Sequence, residues 1–269
     1  MIKDFNWGET RIDLLLIIPN WGRGEYIRKT IDNTIDTSVP RDKWKILIIN
    51  DGIEENFDDL KDKNVLYCTI KRKNNFERGD AFSRNIAIKY SQSKLIGQRD
   101  PEILFTGDII NGCFDHQNEL YRCGGLAHLS KKQDTELFIN NQININLLQQ
   151  RAQKFPITER FVYYHFFWCI EREILVKLGG YDEDYKYYCY ADMDLHDRLM
   201  KFGVKQFIDK SVQPIHLFHN KPDTKNDSIA IKRELINKRL YESKKNGPII
   251  RNVGVNWGEG DTDYSPEIF

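Results

Sequence analysis

Seven polar clusters carry the residue types that handle a charged ligand. Asn20-Trp21-Gly22-Arg23, Asn50-Asp51-Gly52 and Gly107-Asp108 each follow an apolar run. Lys71-Arg72 follows another, and Arg84-Asn85 comes shortly after it. Asp192 and Asp194 stand in Tyr190-Ala-Asp-Met-Asp-Leu195, at the start of a helix-like segment. Capping of that helix explains one aspartate, which leaves the other to enter a cleft as a general base. His216 and His219 are three apart, so in an extended segment they point to opposite faces. One histidine as a metal ligand, with the other in the wall, fits that geometry. Asp108 poses the sharpest question. A carboxylate at the end of a buried strand needs a positive partner.

The elements that position these groups alternate in the first half. Asp13–Pro19, Trp44–Asn50, Val65–Ile70 and Ile103–Thr106 read as strands, the first two as continuous apolar runs covered on both faces. Glu25–Thr37 and Asp80–Ser91 have helical apolar spacing. Such alternation predicts an α/β fold with a mostly parallel sheet and helices on both sides. In open sheets of this kind, ligands bind beyond the carboxyl ends of the strands. The polar clusters of the first half all fall there.

The second half differs. Thr135–Gln153 is rich in Asn and Gln and reads as a solvated helix. Phe166–Ile170 predicts a strand, Glu171–Leu178 a helix stopped by Gly179-Gly180, and Ala191–Phe202 a helix stopped by Gly203. Val204–Ile208 and Val212–Phe218 predict strands, and Ile229–Lys245 a basic final helix. One domain over 1-246 follows, with halves 1-112 and 113-246; 247-269 is expected to be an irregular tail. The tripeptide Asn-Trp-Gly recurs at Asn6, Asn20 and Asn256 with irregular spacing, so it marks no repeat.

Composition narrows the partners. Lys+Arg and Asp+Glu are both 40, so no basic footprint for nucleic acid exists. The five cysteines have no metal-ligand spacing and fit free thiols in a reducing compartment. The first residues lack an apolar signal core, and Leu14–Ile18 is too short to span a bilayer. A cytoplasmic protein without a transmembrane segment is expected. The basic last helix also allows peripheral contact with anionic lipid.

The order of motifs resembles GT-A-fold glycosyltransferases, close to glycosyltransferase family 2, with a second half similar to the galactosyltransferase C-terminal segment. The matching stretches are LLLIIPNWGR, ILIINDG, AFSRNIAI, ILFTGDII, GGYDE, ADMDLHDRL and HLFH, spanning Leu14 to His219. The resemblance implies a Rossmann-like sheet and a metal-dependent transfer from a nucleotide-sugar, a UDP-hexose or UDP-HexNAc, to a glycan, lipid-linked saccharide or other hydroxyl. It would make 1-112 a nucleotide-binding half and 113-246 an acceptor and metal half. It implies nucleotide-sugar contacts at Pro19, Asn20, Arg23, Asp51, Arg84, Thr106, Asp108 and Trp168. It implies Asp192 as the base of an inverting transfer, with Asp194 beside it. Asp108, His219 and His216 would hold Mn²⁺ or Mg²⁺ between them.

Two positions depart from the family pattern. Thr106 stands where Asp108 would be preceded by a first acid, and Ala191 stands where a glutamate precedes Asp192. These departures supply an alternative, a catalytically impaired nucleotide-sugar-binding domain. A retaining transferase of the same fold and a nucleotidyltransferase are the other readings, although Asn20-Trp-Gly-Arg-Gly24 is a poor phosphate loop for the last.

Overall fold

Leu14–Asn20 forms β1, an interior strand, with Leu14 to Ile18 almost fully buried. Helices on both faces explain why this run does not alternate. In the computed structural model, which describes residues 5–70, 81–123, 128–154, 166–187, 189–219 and 228–259, β1 lies between β2 (Trp44–Asp51) and β4 (Leu95–Arg99), parallel to both. Outside β2 runs β3 (Val65–Ile70), also parallel. On the other side β8 (Phe167–Glu171) pairs antiparallel with β4 and with β6 (Leu120–Cys123). The edge strand β9 (Gln206–Asp209) is parallel to β6. The seven-stranded order is β3-β2-β1-β4-β8-β6-β9, and only β8 runs against the rest. The mixed α/β architecture expected from the sequence is the one observed.

Alternate residues of each strand enter different cores. Leu15, Ile17, Leu47 and Ile49 pack with α2 (Ala81–Tyr90), α6 (Arg172–Lys177) and α7 (Ala191–Phe202). Leu14, Leu16, Ile18, Ile46 and Ile48 pack with α1 (Gly24–Thr34) and α3 (Ile109–Asp115). A second sheet has the order β5-β10-β7, formed by Ile103–Phe105, Pro214–His216 and His128–Leu129.

The strand at the switch point was not the expected one. The sequence predicts Ile103–Thr106 as the fourth strand of the main sheet; that place belongs to β4, and Ile103–Phe105 is β5 of the second sheet. The sequence hides β4 because only Leu95 and Ile96 are apolar. Gly97 brings it close to β1, since a Cβ there would lie 2.9 Å from Leu16 Cδ1. Gln98 and Arg99 end it in full burial.

The amide-rich stretch is also divided, into α4 (Lys132–Ile139) and α5 (Ile145–Arg151). Asn141 adopts a left-handed φ of 58° between them, and Asn144 caps α5 by accepting from Leu147 N. The segment after α8 (Ser228–Lys244) is irregular but attached. Arg251 and Asn252 bind the loop before α7, and Glu259 pairs with Lys89. Among the described residues, no helix is long and apolar enough to cross a membrane.

Candidate active site

Strand order reverses at β1, whose neighbours β2 and β4 lead to opposite sides of the sheet. The crevice outside such a point is where an open α/β sheet holds ligands. The loop after β1 supplies Asn20 and Arg23, and the loop after β4 supplies Asp100 and Glu102.

Arg99 fixes this second loop. Its side chain is fully buried. Its guanidinium donates to Thr30 Oγ1 and Thr34 Oγ1 of α1 and to the carbonyls of Asp100 and Pro101. Burial pulls its pKa down to about 9, against the attraction of Glu102 and Asp100. Asn33 of α1 then grips Phe105, donating to its carbonyl at 2.8 Å and accepting from its amide at 2.6 Å. The acid loop is thus held at both ends by the polar face of one helix.

Glu102 meets both histidines. The antiparallel register sets Ile103 opposite His216, and Leu217 N donates to Glu102 O at 3.0 Å. Glu102 Oε1 lies 3.0 Å from His219 Nε2 and 3.5 Å from His216 Nε2. The chain turns after His216 because Phe218 is captured. Its amide donates to Ser130 Oγ and Thr135 Oγ1, and its carbonyl accepts from Tyr26 OH at 3.0 Å. The turn overcomes the opposite-face rule of an extended segment. Both histidines therefore share a site, and neither is merely wall. Burial pushes the Glu102 carboxyl up, but His219, His216 and Arg23 outweigh it and hold it at about 2.

These ligand atoms lie within 4.8 Å of one another. One carboxylate and two imidazoles could hold a divalent metal ion. The acid beside the histidines is Glu102, whereas Asp108 had been expected there. Asp108 instead caps α3, accepting from Asn111 N at 2.9 Å, and its other oxygen accepts from Thr37 Oγ1 and Ser38 N. A capping role satisfies the acid that had lacked a partner. Thr106 pairs with Gln213 through both its amide and its hydroxyl, extending the second sheet. An acid-x-acid sequence, Asp100-Pro101-Glu102, stands instead directly after β4.

The second half of the site centres on Asp192. Asp192 Oδ1 is 3.2 Å from Arg84 Nη1, and Arg84 Nη2 is 3.5 Å from Asp100 Oδ1. Arg84 also lies over the Tyr181 ring at 5.2 Å. The loop that delivers Asp192 is strained: Cys189 and Tyr190 have φ of 75° and 72°. Such backbone costs about 1–3 kcal/mol per residue and persists only where the surroundings impose it. Here Asn237 of α8 donates to the carbonyls of Tyr187 and Cys189.

Asp194 is turned the other way. It is 1% exposed, and its oxygens accept from Arg198 Nε at 2.6 Å and Arg251 Nη2 at 2.8 Å. It is a structural ion pair, not a base or a neighbour of one in the cleft. Trp168 is equally withdrawn, 1% exposed and facing Tyr181 across 6.3 Å, so no sugar can lie on its ring. Gly179 and Gly180 have φ of 76° and 68°, and a Cβ on Gly180 would stand 2.4 Å from Asn85 Oδ1. Asn85 in turn pairs with the Tyr181 backbone in both directions.

Beyond β1 and β2 lies a polar floor. Asn20 Nδ2 donates to Asn50 Oδ1 and to Glu55 Oε2, both at 2.8 Å. Asn50 Nδ2 donates to the Glu55 carbonyl at 2.6 Å. Pro19 and Asp51 close the ends of these strands, Asp51 nearly buried. Trp21 beside them is 54% exposed. Lys71 and Arg72 lie outside the described residues.

No protein-family model matches the chain, and no curated protein matches it. Solved structures do. GalNAc-T7 with UDP, GalNAc and Mn²⁺ aligns at a TM-score of 0.54 and 12% identity, covering 87% of this chain and 50% of that one. TarS 1-349 of S. aureus with UDP aligns at 0.51 and 10%, covering 78% and 59%. Mannosyltransferase PcManGT from Pyrobaculum calidifontis with GDP-Man and Mn²⁺ aligns at 0.54 and 13%, covering 88% and 66%. The chain therefore spans between 50% and 66% of the length of these structures. What they share with it is the fold, a GT-A-type, Rossmann-like sheet flanked by helices.

Proposed function

We propose that the protein is a metal-dependent glycosyltransferase that moves a sugar from a nucleotide-sugar, a UDP-hexose or UDP-HexNAc, to a hydroxyl of a glycan or lipid-linked saccharide. One observation carries this reading: Glu102, His216 and His219 converge at the switch point of the sheet. Similar folds solved with UDP or GDP-Man and Mn²⁺ support it.

Glu102, His216 and His219 hold the cation in this reading. When bound, Mn²⁺ or Mg²⁺ supplies charge neutralisation for a diphosphate leaving group. Asn20, Asn50, Asp51 and Glu55 form the floor under the nucleoside. Arg84 fixes the Asp192 carboxylate by an ion pair of 3.2 Å. Asp192 takes the proton of the acceptor hydroxyl as that oxygen attacks the anomeric carbon opposite the diphosphate. The bond from that carbon to the diphosphate oxygen breaks, and the nucleoside diphosphate leaves with the electron pair. This single displacement inverts the anomeric centre. With Asp100 and Glu102 in place, Thr106 no longer argues for an impaired binding domain.

The test is a panel of UDP- and GDP-sugars with Mn²⁺, scored by release of nucleoside diphosphate. Release from one donor, abolished by EDTA and by Glu102→Gln, is expected. Nucleotide binding with no release under any acceptor would instead favour a binding domain.

A further inference from the structure

Arg23 sits among the ligand atoms of the site but carries the same sign of charge as a metal. Its Nη1 is 3.2 Å from Glu102 Oε1, the oxygen that also faces His219 Nε2 at 3.0 Å and His216 Nε2 at 3.5 Å. A cation bound to that oxygen would stand against the guanidinium. The Arg23 side chain is 25% exposed, so it has room to turn towards the crevice. Its backbone does not depend on this contact, since Arg23 N donates to Asn20 Oδ1 at 2.8 Å.

We propose that Arg23 makes cation binding at Glu102, His216 and His219 conditional on a nucleoside diphosphate. This inference rests on the metal reading above. With metal alone, the guanidinium competes for Glu102 and weakens the ion. A diphosphate offers Arg23 a partner of higher charge and a matching fork of oxygens. The arginine then exchanges its ion pair with the carboxylate for the phosphate, and Glu102 is left to the cation. By linkage, whatever the nucleotide adds to metal affinity the metal adds to nucleotide affinity. The consequence is that free Mn²⁺ does not fill the site before the donor arrives.

The experiment is a calorimetric titration with Mn²⁺, alone and with saturating UDP, on the full chain. Wild type, Arg23→Met, Arg23→Lys and Glu102→Gln are compared. Arg23→Met keeps the apolar stem and removes the charge, and it is expected to bind Mn²⁺ alone about tenfold more tightly than wild type. Arg23→Lys, which keeps the charge, is expected to stay near wild type. The gain in Mn²⁺ affinity on adding UDP is expected to shrink in Arg23→Met, and Glu102→Gln is expected to lose binding throughout. If wild type binds Mn²⁺ and Arg23→Met binds it no more tightly, the role of Arg23 is overturned while the metal reading stands. If no variant binds Mn²⁺ with or without UDP, both fall.

Discussion

Arg84 Nη1 lies 3.2 Å from Asp192 Oδ1 and joins the middle of α2 to the first turn of α7. The same guanidinium reaches Asp100 at 3.5 Å, so one buried arginine links the proposed base to the acid loop. Asp192→Asn keeps the shape and removes the basicity. It is expected to lower kcat by about 100- to 10,000-fold while leaving donor affinity within a few-fold. Steady-state kinetics with the donor found active decides this. A fall in donor affinity with kcat unchanged would move Asp192 from chemistry to binding.

Asp108 provides a contrast with Glu102. Asp108→Ala is expected to lower stability by about 1–2 kcal/mol through loss of the α3 cap, with Mn²⁺ affinity unchanged. Glu102→Gln is expected to do the reverse for metal, abolishing measurable Mn²⁺ binding. Denaturant unfolding and metal titration of both variants separate the roles. Loss of Mn²⁺ binding in Asp108→Ala would return that residue to the metal site.

Asp194 tests the ion network beneath the site. Arg198 and Arg251 both depend on it in a buried setting. Asp194→Asn is expected to destabilise the fold by about 3–5 kcal/mol, because it leaves two buried guanidiniums undercompensated. A variant that unfolds at the wild-type denaturant concentration would refute the structural assignment.

His196 gives a pH dependence. It is buried, with Nε2 3.1 Å from Gln206 Oε1, and burial lowers its pKa below the ordinary value of 6.5, helped by Arg122. The unfolded chain then binds the proton more readily than the folded one. Its share of stability is present above pH 6.5 and is lost as pH falls from there to the folded pKa. The melting temperature should therefore drop as the buffer is acidified through this window, and His196→Gln should flatten that part of the curve. An unchanged slope in the variant would assign the pH response to other groups.

The core strands were legible because their physics is written in residue type. Leu14–Ile18 and Trp44–Ile49 are apolar on both faces, and they occupy β1 and β2. The helix of Asp192 and its stop at Gly203 were legible from spacing and from the left-handed glycine. The decisive strand was not. β4 ends in Gln98, which donates to Asp100 Oδ1, and Arg99, whose burial is made tolerable by the hydrogen bonds it donates to threonines of a helix 65 and 69 residues earlier in the chain. No local pattern encodes that arrangement. Missing β4 shifted the acid-x-acid pair from Asp100 and Glu102 to Thr106 and Asp108. The Asp-x-Glu spelling after a short Leu-Ile pair was the available signal. Trp168 and Asp194 failed for a related reason, since sequence gives residue type but not which way a side chain turns.

The most direct test of the central claim is anomalous diffraction from crystals of the protein soaked with Mn²⁺ and UDP. A manganese peak is expected at Glu102, with His216 and His219 at ligand distances of about 2.0–2.3 Å. A peak at Asp108, or none near Glu102, would contradict it.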